Sequence, residues 1–188
     1  MKLTTKRVRR YLVVLLAGMV VASPAIAARL NPALLVLRQA DVPAGFRLDR
    51  ATSGVRSNAN ESKGEPEVRA LFVRAGRVTG YETRFERGQA EISSRADVFR
   101  TPAGARMVLR WFGKELAAAF PGSVRRTAVD LGAEGSLWVV DIPSLGSSTV
   151  IAWRHGHAFA GVAGEGLTRE RTLSFARLQD RRIAAALR

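Results

Sequence analysis

Both histidines of the chain fall in "WRHGHAFAGV", at His155 and His157. A strand places residues i and i+2 on one face, so this pair offers two nitrogen donors to zinc or copper. A metal site needs a third and usually a fourth ligand, and with no cysteine and no further histidine those would have to be carboxylates. A local reading competes and is favoured. "VIAWR" and "HAFAGV" are both strand-like, and His155-Gly156 between them makes a two-residue hairpin turn, with His155 at its tip and His157 opening the next strand. The rings then need not converge, and neither metal nor other cofactor is expected.

Other chemical candidates are thinner. "GVAGEG", Gly161 to Gly166, lies between a strand and a helix, where phosphate-binding loops sit. Its spacing fails the dinucleotide pattern, because Arg169 stands where the third glycine belongs. Glu165 and Glu170 would repel an anion, whereas Arg169 and Arg171 would attract one and are the candidate anion contacts. The segment is otherwise a strand-to-helix turn capped by Thr168. No Gly-x-Ser-x-Gly occurs, and Ser147-Ser148 has no histidine at a telling distance, so a catalytic triad is unsupported. Asp130 and Glu134 in "VDLGAEGS" are the carboxylate pair available for acid/base hydrolysis of a polysaccharide, with solvated turn residues as the simpler reading. The aromatics Trp111 and Phe112 share a helix, and Trp138, Trp153 and Phe159 fall in the strand-rich part. They are read as core, or as the lining of an apolar ligand cavity between helix and sheet.

These residues need elements to hold them. Asn31-Pro32 predicts a short helix reaching Ala40, ended by "ADVPAGF", with a strand from Phe46 to Arg50. Residues 51–66, rich in Gly, Ser and Asn, read as a mobile surface loop, and Glu67 to Arg74 as a short helix. From Arg77 the period changes to two, and "ERGQ" turns the chain into "AEISSRADVFR", a hairpin of two long strands. Thr101-Pro102 caps a helix whose apolar residues Ala105, Val108, Leu109, Phe112, Leu116 and Ala119 share a stripe, and Pro121-Gly122 ends it. Strands follow near Leu137–Ile142, Thr149–Arg154 and His157–Ala163, then a helix over Arg169–Leu187. This order predicts an α+β domain: a mostly antiparallel sheet with helices packed on it, the two long ones covering its two faces.

Composition sets the setting. Residues 1–27 read as a cleaved signal peptide, with basic residues Lys2 to Arg10, an apolar run of about twelve residues, and Ala25-Ile26-Ala27 for cleavage. That run is well short of the roughly twenty residues a membrane span needs. Arg9-Arg10 fits a twin-arginine signal only loosely, so general secretion to the periplasm or exterior is expected. Residues 28–188 then form a single domain of about 160 residues, which can bury a sizeable core without disulfides. The leader contains five of the thirty Lys and Arg and none of the sixteen Asp and Glu, leaving a formal +9 in the remainder. Nearly all of it is arginine, scattered along the chain, either as a compositional habit or as an attraction to an anionic envelope component. No dense basic run marks a specific nucleic-acid reader.

The segments "ADVPAGF", "GYETRF", "DVFRTPAGARMVL" and "WRHGHAFAGV" together resemble a loosely defined group of uncharacterised bacterial exported and lipoprotein domains, whose members often read Ala-Asp-Leu-Pro-x-Gly-Phe near the start. The resemblance implies a PsbP/Mog1-like sandwich of sheet and helices and no catalytic residues. It departs from the lipoprotein members in lacking a lipidated cysteine. The expected function is an exported, non-enzymatic accessory or ligand-binding domain for an anionic surface or a small apolar ligand, with a carboxylate-based envelope hydrolase as the alternative.

Overall fold

Period-two alternation dominates the middle and end of the chain and builds one antiparallel sheet. The computed structural model describes residues 30–62, 64–142 and 146–188, so the proposed leader lies outside it. The strands are β1 (Arg47–Leu48), β2 (Gly54–Arg56), β3 (Arg77–Arg87), β4 (Ala90–Phe99), β5 (Val124–Val129), β6 (Glu134–Ile142), β7 (Gly146–His155) and β8 (Ala158–Glu165). The helices are α1 (Asn58–Glu61), α2 (Pro66–Ala75), α3 (Pro102–Ala119) and α4 (Arg169–Ala186). The sheet order is β1-β3-β4-β8-β7-β6-β5, and β2 also pairs with β3. This is the α+β architecture expected.

Caps set the helix ends. The hydroxyl of Thr101 accepts from the Gly104 amide at 3.1 Å, with Pro102 in the first turn, and that of Thr168 accepts from Arg171 at 3.2 Å. Helix α2 stops at Gly76, whose φ of 66° suits glycine and whose amide donates to the Phe72 carbonyl at 3.0 Å.

Alternation then sorts the side chains. On β4, Ile92, Ser94, Ala96 and Val98 face α4, and Ser93, Arg95, Asp97 and Phe99 face the side covered by α2 and α3. The α4 face is filled by Trp153, Leu137, Ile151, Phe175 and Ile183. Its last gap is closed by the chain before β1. Residues 31–40 are not the predicted helix. Two short 3-10 turns, Pro32–Leu34 and Gln39–Asp41, flank Leu35, Val36 and Leu37, all three at most 1% exposed. A helix would bury only one stripe of these, and the tertiary bonds favour the extended form. The Leu37 amide donates to Ser94 Oγ at 2.9 Å, its carbonyl accepts from Thr83 at 3.0 Å, and the Val36 carbonyl accepts from Arg182 at 2.7 Å. Arg182 also grips both oxygens of Asp41 at 2.8 and 3.0 Å. Burial alone would raise the Asp41 pKa, but Arg182 and the Arg38 amide together hold it below its ordinary 3.8.

The stretch 51–66 holds more structure than a mobile loop. It forms β2 and α1 and delivers Arg56, Asn58 and Glu61 to a charge network on the α3 side of the sheet. Asp97, fully buried, accepts from Arg77 Nε at 2.9 Å and from Arg95 Nε at 3.0 Å. Arg95 meets Glu61 at 2.9 Å, Arg56 meets Glu82 at 3.0 Å, and Arg84 bridges Glu82 at 3.2 Å and Glu91 at 3.3 Å. Arg77 also donates to Asn58 at 2.6 Å and to the Arg56 carbonyl at 2.9 Å, and packs on the Phe72 ring. Desolvation raises the pKa of Glu61, opposed by Arg95, and lowers that of Arg77, opposed by Asp97. The network fits because position 80, opposite Asp97, is glycine. A Cβ there would stand 1.9 Å from Asp97 Oδ1 and 2.4 Å from Arg77 Nη2.

Two further boundaries differ from expectation. Strand β5, with Arg125 and Arg126, lacks an apolar alternation because it is an exposed sheet edge. The hairpin turn sits one residue later than expected. His155 ends β7 opposite Ala158, and Gly156, with φ of 55°, and His157 form the turn.

Two stability predictions follow from these contacts. Gly80→Ala is expected to destabilise the protein by about 3 kcal/mol or more, because it displaces one member of a buried ion pair. Gly161→Ala, also mid-sheet, meets only the Ile151 carbonyl at 3.6 Å and should stay within about 1 kcal/mol of the parent. Urea unfolding of both variants checks the contrast, and equal losses would refute it. The Asp41–Arg182 clip has a depressed acid pKa, so its stabilisation is present above about pH 4 and is lost as pH falls through the folded value. Urea midpoints of the parent should exceed those of Asp41→Asn at about pH 6, and the gap should shrink below about pH 4; a gap independent of pH would contradict the clip.

Candidate functional site: a cavity beneath α3

Small residues occupy the middle of the sheet where α3 crosses it. Ala152 on β7 and Gly161 on β8 are register partners, with Ala163 two residues along and Ser93 on β4. None is long enough to reach the helix, so a small cavity of about 30 Å³, partly open to solvent, remains between them and Phe112. Phe159 and Val150 complete the apolar wall. Phe112 is fixed from two directions, its ring 5.8 Å from that of Phe159 and 5.5 Å from that of Trp138, the latter edge-on at 76°.

The other end of the cavity is charged. Glu82 and Arg95 border it, and both belong to the network described above. Glu82 accepts from Arg56 and Arg84. Arg95, wholly buried, has its pKa raised: desolvation acts to lower it, and Asp97, Glu61 and Glu82 together outweigh that. The end wall is therefore polar but internally compensated, with its ionic groups held in place by one another. At this size the cavity suits only a very small molecule, about one ring, with an apolar body and at most one hydrogen-bonding end.

Of the aromatic candidates, Phe112 and Phe159 line this cavity, and Trp138 backs Phe112. Trp111 instead packs edge-on against Phe72 at 6.4 Å, at the contact of α2 with α3. Trp153, fully buried, lies on the α4 face, where its indole Nε1 has no hydrogen-bond partner among the described residues. These two are outside the cavity because alternation on β7 puts Trp153 opposite Ala152, and residue 111 is off the sheet-facing stripe of α3. Sequence reasoning missed the floor residues Ala152, Gly161 and Ala163 and the charged pair Glu82 and Arg95. The signal for the floor was small residues at inward positions beneath an aromatic helix.

The remaining candidates do not converge. His155 Nδ1 lies 2.8 Å from Asp180 Oδ1 on α4, and His157 Nδ1 lies 3.2 Å from the Phe99 carbonyl. Among the described residues no group of three or more His, Asp or Glu is placed to hold a metal ion. Arg169 and Arg171 are exposed on the first turn of α4, the guanidinium of Arg171 lying 5.2 Å over Phe175. Asp130 is exposed in the turn after β5, and Glu134 is drawn away by Arg106 at 2.9 Å and Arg154 at 3.8 Å. The hydrolase alternative thus lacks a facing pair of carboxylates at these positions. No described helix is long and apolar enough to cross a membrane.

No protein-family model and no curated protein matches the chain. Among solved structures it is similar to the extracellular domain of PknH from Mycobacterium tuberculosis, with a TM-score of 0.58 and 9% sequence identity, over 87% of this chain and 98% of that one. At this identity the likeness is one of fold.

Proposed function

We propose that the chain is an exported, non-enzymatic ligand-binding domain that takes a small, largely apolar molecule into the cavity beneath α3. One observation carries the reading. The sheet centre keeps short side chains at Ala152, Gly161 and Ala163 under a rigid aromatic wall, where larger residues would have filled the space as they do on the α4 face. The paired state of Glu82 and Arg95 favours binding over turnover, because the charged groups of both are taken up by other side chains of the network. Export is supported by the leader pattern of residues 1–27 and by a fold shared with an extracellular domain. The PsbP/Mog1-like resemblance of the entry motif is in keeping with the same role.

Gly161 provides the test, since its Cβ direction opens into the space. The parent is expected to take up toluene, a one-ring apolar probe, as read by saturation-transfer NMR, with little dependence on salt. Gly161→Leu, which fills the cavity, should weaken uptake about tenfold or more while unfolding at a temperature near that of the parent. Equal uptake by both proteins, or none by the parent, would sink the reading.

A further inference from the structure

A second, open depression of about 630 Å³ lies on the far side of the Phe112–Trp138 contact, between α3 and the β5–β6 hairpin. We propose that it binds a linear anionic polysaccharide of the uronate type, laid along α3, independently of the cavity.

The cations come first. Arg106, Arg110 and Lys114 recur every fourth residue, so they form one stripe along α3 with steps of roughly 6 Å, the length scale of a sugar unit. Glu134, the one carboxylate on the groove wall among the described residues, is taken by Arg106 at 2.9 Å. Arg110 and Lys114 have no carboxylate within 4.0 Å among the described residues, and neither has Arg126, which faces them from β5. This sets them apart from Arg77, Arg84 and Arg95, each of which meets an acid. Arg126 is moreover held in place without a counter-charge. Its Nε and Nη2 donate to Ser136 Oγ at 3.0 and 2.8 Å, and its guanidinium lies 5.8 Å over the Trp138 ring. A cation already oriented loses little freedom when an anion arrives.

The floor argues for a sugar chain over a bare inorganic polyanion. Between the cations runs an apolar strip of Gly113, Ala117 and Val124. Position 113 is pressed on Trp138, where even a Cβ would stand 3.1 Å from the ring, so this part of the groove is shallow and flat. A pyranose presents an apolar C–H face and, in a uronate, a carboxylate at its edge. The strip takes the first and the flanking cations take the second.

Calorimetric titration of the purified protein with polygalacturonate oligosaccharides tests this, with neutral dextran and inorganic polyphosphate as comparisons. Binding is expected to polygalacturonate and not to dextran, weakening as salt rises. The triple variant Arg110→Ala, Lys114→Ala, Arg126→Ala should lose about tenfold or more in affinity. Ala117→Trp, which obstructs the groove and keeps every charge, should weaken it comparably. The control Arg169→Ala, Arg177→Ala, Arg181→Ala removes the same charge from exposed positions on α4 and should bind as the parent does. The proposal is overturned if polygalacturonate fails to bind, if the α4 control loses as much, or if polyphosphate binds as tightly. Gly161→Leu should bind as the parent, so failure of the cavity reading and failure of this one are separate results.

Discussion

The carboxylate of Asp97 sits between two arginines with no access to water, and much of the α3 side of the sheet is arranged around it. Three ions held this deep cost several kcal/mol each in lost hydration, which their mutual attraction returns only if every hydrogen-bonding position is met. That condition explains several otherwise unrelated residues. Gly80 leaves room, Asn58 and the Arg56 carbonyl satisfy the outer donors of Arg77, and Glu61 closes on Arg95. The stretch from β2 to α1, whose sequence is polar enough to stay in solvent, is held on the sheet by these bonds.

The network also decides what the two faces of the sheet do. On the α4 side alternation supplies apolar groups throughout, and the polar exceptions, Ser94, Thr83 and Gln179, are spent on fixing backbone: Ser94 and Thr83 on Leu37, Gln179 on the Arg95 carbonyl. That face is closed. On the other side the charged cluster occupies β3 and the adjacent half of β4, and α3 packs chiefly on β7 and β8. The cavity forms at the seam, apolar where the helix overhangs and polar where the cluster begins.

What could be read in advance followed from local signals. Caps at Thr101 and Thr168 and the alternation of residues 77–99 depend on neighbours a few positions away, and the structure has each of them. The failures required distant partners. Leu35 to Leu37 looked helical until Ser94, Thr83 and Arg182 claimed their backbone groups, and residues 51–66 looked mobile until Asp97 and Arg77 drew them in. The site was half legible: Phe112, Phe159 and Trp138 meet, and Trp111 and Trp153 do not. The charge cluster did leave a trace, since Glu82 and Arg84 on one strand and Arg95 and Asp97 on the next put charges at alternate positions of a hairpin that one face must bury. Reading that phase across both strands, with Gly80 among them, would have identified it.

The same reasoning changes the meaning of the net charge. Along the sequence the arginines look evenly scattered, which suits a compositional habit. In the fold, Arg56, Arg77, Arg84 and Arg95 are matched by Glu61, Glu82, Glu91 and Asp97, so the interior contributes almost nothing to the excess. The excess therefore resides on the surface. There the two helices differ. Arg169, Arg177 and Arg181 project from the exposed side of α4 into water, where their fields are screened. Arg110, Lys114 and Arg126 line a concavity whose lower-dielectric walls, Trp138 and Val124 among them, strengthen their attraction for an anion. An excess that composition alone would spread evenly thus acquires a location, and the α3 groove is where it acts most strongly.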